Sequence, residues 1–364
     1  MRNQPHVKLY IPGPIEVSPE TFEAMSQPMI GHRGSEFSAL YEQVMPVMRE
    51  LMGTARPVFL STSSAWGVME AAIRNLSSKR VLNCCCGAFS DKWHDVTLRC
   101  GREADRLAVE WGQPILPGDL RRTLEGGDYD LVTLVHNETS TGVLNPLADL
   151  AAVVRDFPDV MLVVDTVSSF SAVPIEMDAL GIDVVLTGSQ KALALPPGLA
   201  PFAVSERALE RAADTPDRGY YFDFLEFEKN AANFATPSTP CISLIYGLAH
   251  QLQRIVEEGI ENRYKRHEAL NAMIHQWGSQ RKFEHFAGEG YRSKSLTTFC
   301  NNRDLDLGAW NKILRDKYRV AINMGYGKIK GKTFRISNMG DETPESIGEL
   351  IRILDQSLAD LGAL

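Results

Sequence analysis

Lys191 is the residue of this sequence whose surroundings favour covalent chemistry most clearly. It follows the apolar run Asp183–Thr187, small and apolar residues surround it, and the rigid turn Pro196-Pro197-Gly198 comes next. An ammonium group in such surroundings would be poorly solvated, which lowers its pKa and favours the neutral, nucleophilic amine. Such an amine can form a Schiff base with an aldehyde. Taken alone, Lys191 is also compatible with a surface lysine that follows a strand.

Asp165 is the second residue of this kind. It directly follows the apolar run Val160–Val164 and precedes Thr166-Val167-Ser168-Ser169. A carboxylate that closes a buried parallel strand lies at the carboxyl edge of the sheet, where ligands bind. In pyridoxal enzymes an aspartate at this place keeps the pyridinium nitrogen protonated, so that the ring can accept electrons. A turn or cap at the end of the strand is the alternative role of such an aspartate.

A hydroxyl-rich turn provides a candidate phosphate site. Ser61-Thr62-Ser63-Ser64-Ala65 lies between an apolar run and a helical pattern that begins near Trp66. Hydroxyl groups and unpaired backbone N–H groups at a helix N-terminus bind phosphate without additional positive charge. Ordinary N-capping would use a serine equally well. A lysine, a carboxylate and a phosphate-binding turn together indicate a pyridoxal phosphate site.

The elements that must position these residues alternate between strand and helix in the first 240 residues. The candidate strands are Pro57–Ser61, Arg80–Cys84, Asp130–Val135, Val160–Val164, Asp183–Thr187 and Leu199–Val204. The amphipathic segments between them include Trp66–Asn75, Ala88–Cys100 and Pro146–Phe157. Nearly continuous apolar strands indicate burial on both faces, hence a mostly parallel sheet covered by helices. This pattern predicts an α/β fold with its ligand site at the carboxyl ends of the strands.

The pattern changes after Pro240. A long helical stretch from Ile242 to Trp277 is followed by the strand-like pieces Leu296–Cys300, Arg319–Asn323 and Thr333–Ile336. The last helix begins at Thr343-Pro344, with an N-cap threonine and a proline at its first position. We therefore expect a large domain over residues 1–240 and a linking helix plus a small α+β domain over residues 241–364. The first roughly 20 residues are expected to form an arm near the active site.

Together these features resemble the class V aminotransferases of fold type I, in particular the alanine–glyoxylate and serine–pyruvate branch. The resemblance extends from Pro12-Gly13-Pro14 to the C-terminal helix. The motifs that carry it are Gly31-His32-Arg33, Met69-Glu70-Ala71-Ala72, Glu138-Thr139-Ser140-Thr141-Gly142, Val164-Asp165-Thr166-Val167-Ser168-Ser169 and Gly188-Ser189-Gln190-Lys191-Ala192-Leu193, followed by Pro196-Pro197-Gly198. The phosphate turn departs from this pattern, because Ala65-Trp66 stands where many relatives have glycine or glycine and histidine.

The resemblance implies a role for each residue around pyridoxal phosphate. Lys191 would hold the cofactor as a Schiff base and move the substrate proton, and Asp165 would pair with the pyridinium nitrogen. The other cofactor-binding residues would be Ser64, Ala65, Trp66 and Gln190 at the phosphate, Phe89 against the ring, Ser140 near its hydroxyl edge, and Ser238 or Thr239 at the phosphate of a partner subunit. Arg335 would bind the substrate carboxylate. No metal is expected.

The composition of the chain narrows the classes of molecule that the protein is expected to bind. The net charge of −8 and the scattered basic residues disfavour binding to nucleic acid or anionic membranes. The six cysteines include Cys84-Cys85-Cys86, have no zinc-type spacing and indicate reduced thiols in the cytoplasm. No apolar run has the length of a signal peptide or a membrane span.

The expected reaction is transamination of a small amino acid, alanine or serine, with an oxo acid such as glyoxylate or pyruvate, in a homodimer with shared active sites. Class V transaminases of phosphoserine, aspartate or 2-aminoethylphosphonate are the alternatives. A cysteine desulfurase or lyase is disfavoured, because Gln190 precedes Lys191 where that class usually has histidine, and because Cys300 closes the strand-like run from Leu296 and is expected to be buried. A scaffold without turnover would not need to retain both Lys191 and Asp165.

Overall fold

A seven-stranded sheet forms the centre of the protein, as seen in a computed structural model that describes residues 6–364. The strands of the chain are β1 (Lys8–Leu9), β2 (Val58–Ser61), β3 (Arg80–Cys85), β4 (Glu103–Ala108), β5 (Leu131–Val135), β6 (Asn137–Glu138), β7 (Val143–Leu144), β8 (Met161–Asp165), β9 (Val184–Leu186), β10 (Ala200–Val204), β11 (Leu296–Cys300), β12 (Val320–Ala321) and β13 (Thr333–Ser337). The central sheet has the order β2-β10-β9-β8-β5-β3-β4. Only β10 runs antiparallel to its neighbours in this sheet.

Helices connect and cover these strands. They are α1 (Pro19–Met25), α2 (Ser35–Met52), α3 (Ala65–Leu76), α4 (Ala88–Arg99), α5 (Pro117–Glu125), α6 (Leu147–Arg155), α7 (Met177–Leu180), α8 (Glu206–Asp214), α9 (Phe224–Ala231), α10 (Ile242–Glu258), α11 (Ile260–Gln280), α12 (Leu307–Asp316) and α13 (Pro344–Asp360).

Both faces of the central sheet are buried. Leu162 and Val164 of β8 pack in a cluster that includes side chains of α2, α6 and α10, whereas Val163 packs in a second cluster with α3, α8 and α9. Successive side chains of a strand point to opposite faces, so these clusters lie on the two sides of the sheet. The prediction of an α/β fold with a mostly parallel sheet and helices on both faces is confirmed.

The C-terminal part has a hydrophobic cluster of its own. The strands β11 and β13 pair antiparallel, and α11, α12 and α13 pack around them. The N-terminal segment joins this part, because β1 pairs parallel with β12 and Tyr10 lies in the same cluster. This separate cluster favours a domain division, and the boundary at residue 240 stays a prediction. Residues 1–5 of the expected arm lie outside the described part of the chain.

Several elements differ from the prediction, which had no strand at β4, the edge strand of the central sheet, or at the short strands β1, β6 and β7. The long helical stretch from Ile242 is divided into α10 and α11 at Gly259, whose φ of +84° takes the backbone out of the helical conformation. The predicted strand Arg319–Asn323 shortens to β12, because Arg319 has a φ of +54°. The predicted start of the last helix is confirmed, since the Thr343 side chain accepts a hydrogen bond from the backbone N–H of Ser346.

Helices of membrane-spanning length and apolarity do not occur in residues 6–364.

Candidate active site

A cavity of about 350 Å³ opens beside the carboxyl ends of the central strands, within the range of about 300–1,000 Å³ typical of small-molecule sites. Its lining comes from the N-terminal segment, from the loops after β2, β8 and β9, and from the C-terminal part. The lining residues are Gly13, Pro14, Ser64, Ala65, Trp66, Met69, Phe89, Thr139, Asp165, Val167, Gln190, Lys191, Pro197 and Tyr326. Residues predicted separately from the sequence therefore meet in one place.

Lys191 lies in the loop after β9 and is 8% exposed. Its Nζ donates a hydrogen bond to the carbonyl of Pro12. Gly13 packs against the same side chain: a Cβ there would lie 2.7 Å from Nζ, and its φ of +110° also favours glycine. Burial, together with the nearby Arg335 guanidinium, lowers the pKa of Lys191 to about 7, against the opposite effect of Asp165 and Glu138. A substantial neutral fraction at neutral pH agrees with the nucleophilic amine expected from the sequence.

Asp165 ends β8 and is 6% exposed. The strand holds it between Val135 of β5 and Leu186 of β9, and its Oδ1 accepts a hydrogen bond of 2.7 Å from the backbone N–H of Val167. Burial raises the pKa of this carboxyl to about 7, while Lys191 opposes the shift. A cationic group bound in the cavity would stabilise the carboxylate.

The helix α3 points its N-terminus at the cavity. Ser64 precedes its first residue, Ala65, and makes no side-chain capping hydrogen bond, so its hydroxyl is available to a ligand. Ser64, Ala65, Trp66 and Gln190 all line the cavity. A helix N-terminus presents N–H groups and a partial positive charge, which is the environment that a phosphate prefers.

Phe89 lies in the first turn of α4, and the buried Glu138 fixes this turn. The Glu138 carboxylate accepts hydrogen bonds from the backbone N–H groups of Phe89 (3.3 Å) and Ser90 (3.0 Å). The Phe89 ring stacks on Tyr326, with centroids 5.4 Å apart and planes at 6°. Phe89 also lines the cavity, so its side chain forms an aromatic part of the cavity wall.

Ser140 lies behind the cavity wall. It is fully buried, and its Oγ donates a hydrogen bond to Glu138 Oε1 at 2.6 Å. The Ser140 Oγ also accepts a hydrogen bond from the backbone N–H of Ala88 at 2.9 Å. It is not among the lining residues, so its expected contact with the cofactor stays a prediction.

Arg335 is held on β13 next to the cavity and is 4% exposed. Its Nε and Nη2 donate to Asn323 Oδ1 at 3.0 and 2.8 Å, and its Nη1 donates to the carbonyl of Thr139 at 2.6 Å. Among residues 6–364 these bonds use three of the five guanidinium N–H groups, which leaves one on each terminal nitrogen. Burial lowers the pKa of Arg335 to about 10, so it stays charged at neutral pH. These two donors match the two oxygens of a carboxylate.

Ser238 and Thr239 lie apart from the cavity of their own chain. They belong to the segment between α9 and α10, where Ser238 is half-buried and Thr239 is exposed. The Thr236 hydroxyl donates to the carbonyl of Ser238 at 2.8 Å and fixes the turn. Their expected contact with the phosphate of a partner subunit stays a prediction.

The cysteines lie elsewhere. Cys84, Cys85 and Cys86 are buried, and burial raises the pKa of each thiol. Cys300, at the end of β11, is half-buried, and none of the six cysteines lines the cavity. The part of the chain that the structure describes contains no cluster of three or more His, Cys, Asp or Glu side chains placed to hold a metal ion.

Sequence reasoning missed several residues of this site. Tyr326 lines the cavity, Glu138 fixes the start of α4, and Asn323 orients Arg335. An aromatic residue between two glycines, Gly325-Tyr326-Gly327, shortly before the Arg335 strand was the available signal for Tyr326. Glu138 stood in a recognised motif, but the sequence did not show which groups its carboxylate binds.

Comparison with known proteins gives a consistent result. A family model described as "Aminotransferase class-V" matches residues 20–337. An uncharacterized aminotransferase from Methanocaldococcus jannaschii is 37% identical over 359 residues, which cover 97% of this chain and 93% of that protein. An L-aspartate–glyoxylate aminotransferase from Paracoccus denitrificans is 31% identical over 368 residues, with 97% and 91% covered. The crystal structure of an alanine–glyoxylate aminotransferase from Nostoc sp. superimposes with a TM-score of 0.93 at 30% identity, with 98% and 96% covered.

The chain therefore belongs to the class V aminotransferases. It is a pyridoxal-phosphate-dependent aminotransferase of fold type I, as the sequence predicted. The residues present fit this cofactor: the cavity brings together a buried amine for its aldehyde, a buried carboxylate for its ring nitrogen, and a helix N-terminus with an unused serine hydroxyl for its phosphate.

The lowered pKa of Lys191 can be tested in the cofactor-free protein. An amine-selective reagent labels only the neutral amine, so the labelling rate rises with pH through the pKa of the group. We expect half-maximal labelling of Lys191 near pH 7, against pH 10.5 for an ordinary lysine. Peptide mass spectrometry measures the rate, with N-acetyl-lysine as the internal standard. Half-maximal labelling of Lys191 at the same pH as the standard would contradict this account.

Proposed function

We propose that this enzyme transfers the amino group of a small amino acid, alanine or serine, to an oxo acid such as glyoxylate or pyruvate by a ping-pong mechanism. The observation that carries the proposal is the meeting of Lys191 and Asp165 in one cavity beside the two available N–H groups of Arg335. The names of the Paracoccus relative and of the Nostoc structure share glyoxylate as a substrate and differ in the amino acid. This supports glyoxylate as the acceptor.

When bound, pyridoxal phosphate supplies an aldehyde that carries the amino group and a ring that takes up the electron pair released at the substrate Cα. Lys191 would hold the cofactor through Nζ and would accept and return the proton at the substrate Cα. A pKa of about 7 suits this task, because a proton-transfer group works best near the operating pH. Asp165 would pair with the ring nitrogen and keep it protonated.

The remaining predicted residues would fix the position of the cofactor. Ser64, the backbone of Ala65 and Trp66, and the Gln190 side chain would hold the phosphate from one subunit. Ser238 or Thr239 of the partner subunit would complete the phosphate site, with Ser238 favoured. The residues at the ring would be Phe89, which stacks on it, and Ser140, which would act at its hydroxyl edge.

Arg335 would bind the α-carboxylate of each substrate. Its guanidinium cannot rotate freely, because Asn323 Oδ1 holds one edge and the carbonyl of Thr139 accepts from Nη1. A carboxylate that pairs with a fixed guanidinium is oriented as well as bound. The substrate Cα is thereby directed towards Lys191.

The charges around the cavity support a substrate with one acidic group. Among the described lining residues, Lys191 is the only basic residue and is partly neutral at neutral pH, and Arg335 adds a permanent charge beside them. Aspartate and phosphoserine carry a second acidic group, and the phosphonate of 2-aminoethylphosphonate can carry two negative charges. A buried charge without a partner is unfavourable, so these alternatives are disfavoured. The desulfurase alternative lacks a cysteine in the lining.

A homodimer in the cytoplasm is the assembly that we propose. Tyr220 and Tyr221 are 62% and 44% exposed beside the segment that carries Ser238, and the Tyr220 hydroxyl donates to the carbonyl of Pro237. Exposed aromatic residues are enriched at protein interfaces. Six free cysteines agree with a reducing compartment.

Half-reactions with single amino acids test this function. The cofactor-loaded enzyme is mixed with alanine, serine, aspartate, phosphoserine or cysteine, and loss of the visible absorption of the aldehyde form is followed. We expect alanine or serine to react at least about tenfold faster than aspartate or phosphoserine, because the latter leave a buried charge unpaired. Fastest reaction with aspartate, or release of sulfide from cysteine, would overturn the proposal.

Arg335→Ala is expected to lower kcat/KM for both amino acid and oxo acid by about 10²- to 10³-fold, as for the loss of a buried charge-assisted pair. Arg335→Lys should lie between this variant and the wild type, because it keeps the charge without the planar fork. Arg352→Ala, on the 70%-exposed arginine of α13, is the matched control. Steady-state kinetics with both substrates measure the effect. An unchanged KM and kcat in Arg335→Ala would exclude this residue from carboxylate binding.

A further inference from the structure

The loop between β12 and β13 reaches from the C-terminal part to the cavity. Gly325 and Gly327 have φ values of +80° and +58°, which favour glycine. A Cβ on Gly325 would lie 2.7 Å from the carbonyl oxygen of Ile329, and one on Gly327 would lie 3.0 Å from Cη2 of Trp111. The two glycines therefore allow the loop to turn tightly and to pack on the large domain, with Tyr326 between them.

One further contact holds this loop on the large domain. The Lys328 ammonium lies 4.2 Å from the centroid of the Trp111 ring, a cation–π contact. Trp111 is itself fixed, since its Nε1 donates to Asp91 Oδ2 at 3.2 Å. Tyr326 is the one residue beyond position 240 among the described lining residues. The loop thus brings a single large side chain to a cavity otherwise formed by the N-terminal two thirds of the chain.

The Tyr326 ring is positioned by its neighbours in the site. It stacks on Phe89 with nearly parallel planes, 5.4 Å between centroids, and the Cζ of Arg335 lies 5.5 Å from its centroid. Arg335 is buried and Phe89 is half-buried, whereas the Tyr326 ring is 46% exposed, so these two contacts hold its position at the cavity. An aromatic wall held in this way discriminates between ligands by size, because a larger group must displace the ring from these contacts.

We propose that Tyr326 is a specificity-determining residue that restricts the amino donor to a small side chain such as methyl or hydroxymethyl. This inference rests on the proposed function, with Arg335 at the substrate carboxylate and Lys191 at its Cα. A substrate that spans these two residues passes beside Tyr326, which contacts the arginine and lines the same cavity as the lysine. Its side chain must occupy the space that the ring leaves open, and a bulky side chain would overlap the ring.

Replacing the ring by smaller side chains tests the proposal. The variants are Tyr326→Ala, Tyr326→Leu and Tyr326→Phe, and the measured quantity is kcat/KM for leucine or phenylalanine divided by kcat/KM for alanine. We expect this ratio to rise about tenfold or more in Tyr326→Ala and less in Tyr326→Leu, in the order of the space released. Tyr326→Phe should leave the ratio within about twofold of the wild type, because it keeps the ring.

Lys328→Ala separates the effect of the ring from that of loop docking. It removes the cation–π contact with Trp111 but keeps the Tyr326 ring and its contacts with Phe89 and Arg335, so the ratio should change far less than in Tyr326→Ala even if all rates fall. An equal fall for every donor in Tyr326→Ala, with a constant ratio, would overturn the proposal and leave Tyr326 only a packing role. A changed ratio in Lys328→Ala as large as that in Tyr326→Ala would also overturn it. Wild-type enzyme that accepts no amino donor would instead refute the proposed function, and this inference with it.

Discussion

The burial of an amine and a carboxylate in one cavity is the constraint on which this structure depends. Lys191 and Asp165 are both almost inaccessible to solvent, and burial moves the pKa of each to about 7, from opposite sides. Each group therefore loses much of its charge unless a partner restores it. In the proposed function, a pyridoxal ring would offer an aldehyde to the amine and a protonated nitrogen to the carboxylate, so both buried groups would gain a partner.

The fold creates this arrangement through neighbouring parallel strands. Asp165 ends β8, Lys191 follows β9, and these strands pair with Asp165 opposite Leu186. Hydrophobic clusters on both faces keep the sheet rigid, which fixes the carboxylate and the loop that carries the amine. The C-terminal part then adds Arg335 and Tyr326 from β13 and from the loop before it. In the proposed function, binding of the cofactor and recognition of the substrate would thus come from different parts of the chain.

The sequence predicted those features that depend on local pattern. Continuous apolar runs predicted the buried strands. Asp165 and Lys191 were recognised as candidate site residues because each follows such a run. Contacts between distant segments were not predictable in this way: the pairing of Lys8–Leu9 with β12, the packing of Gly13 on Lys191 and the stacking of Tyr326 on Phe89 have no local signature. The break at Gly259 was missed because an isolated glycine is tolerated within a helical pattern and is not by itself a stop signal. Ser140 shows a further limit, since its motif was evident but its burial behind Glu138 was not.

The most direct test is a crystal structure of the enzyme grown with pyridoxal phosphate. The account predicts continuous density from Lys191 Nζ to the cofactor, and an Asp165 carboxylate oxygen about 2.7–2.9 Å from the ring nitrogen, as in a charge-assisted hydrogen bond. Density for the ring at another lysine, or an Asp165 side chain turned away from the ring nitrogen, would contradict it.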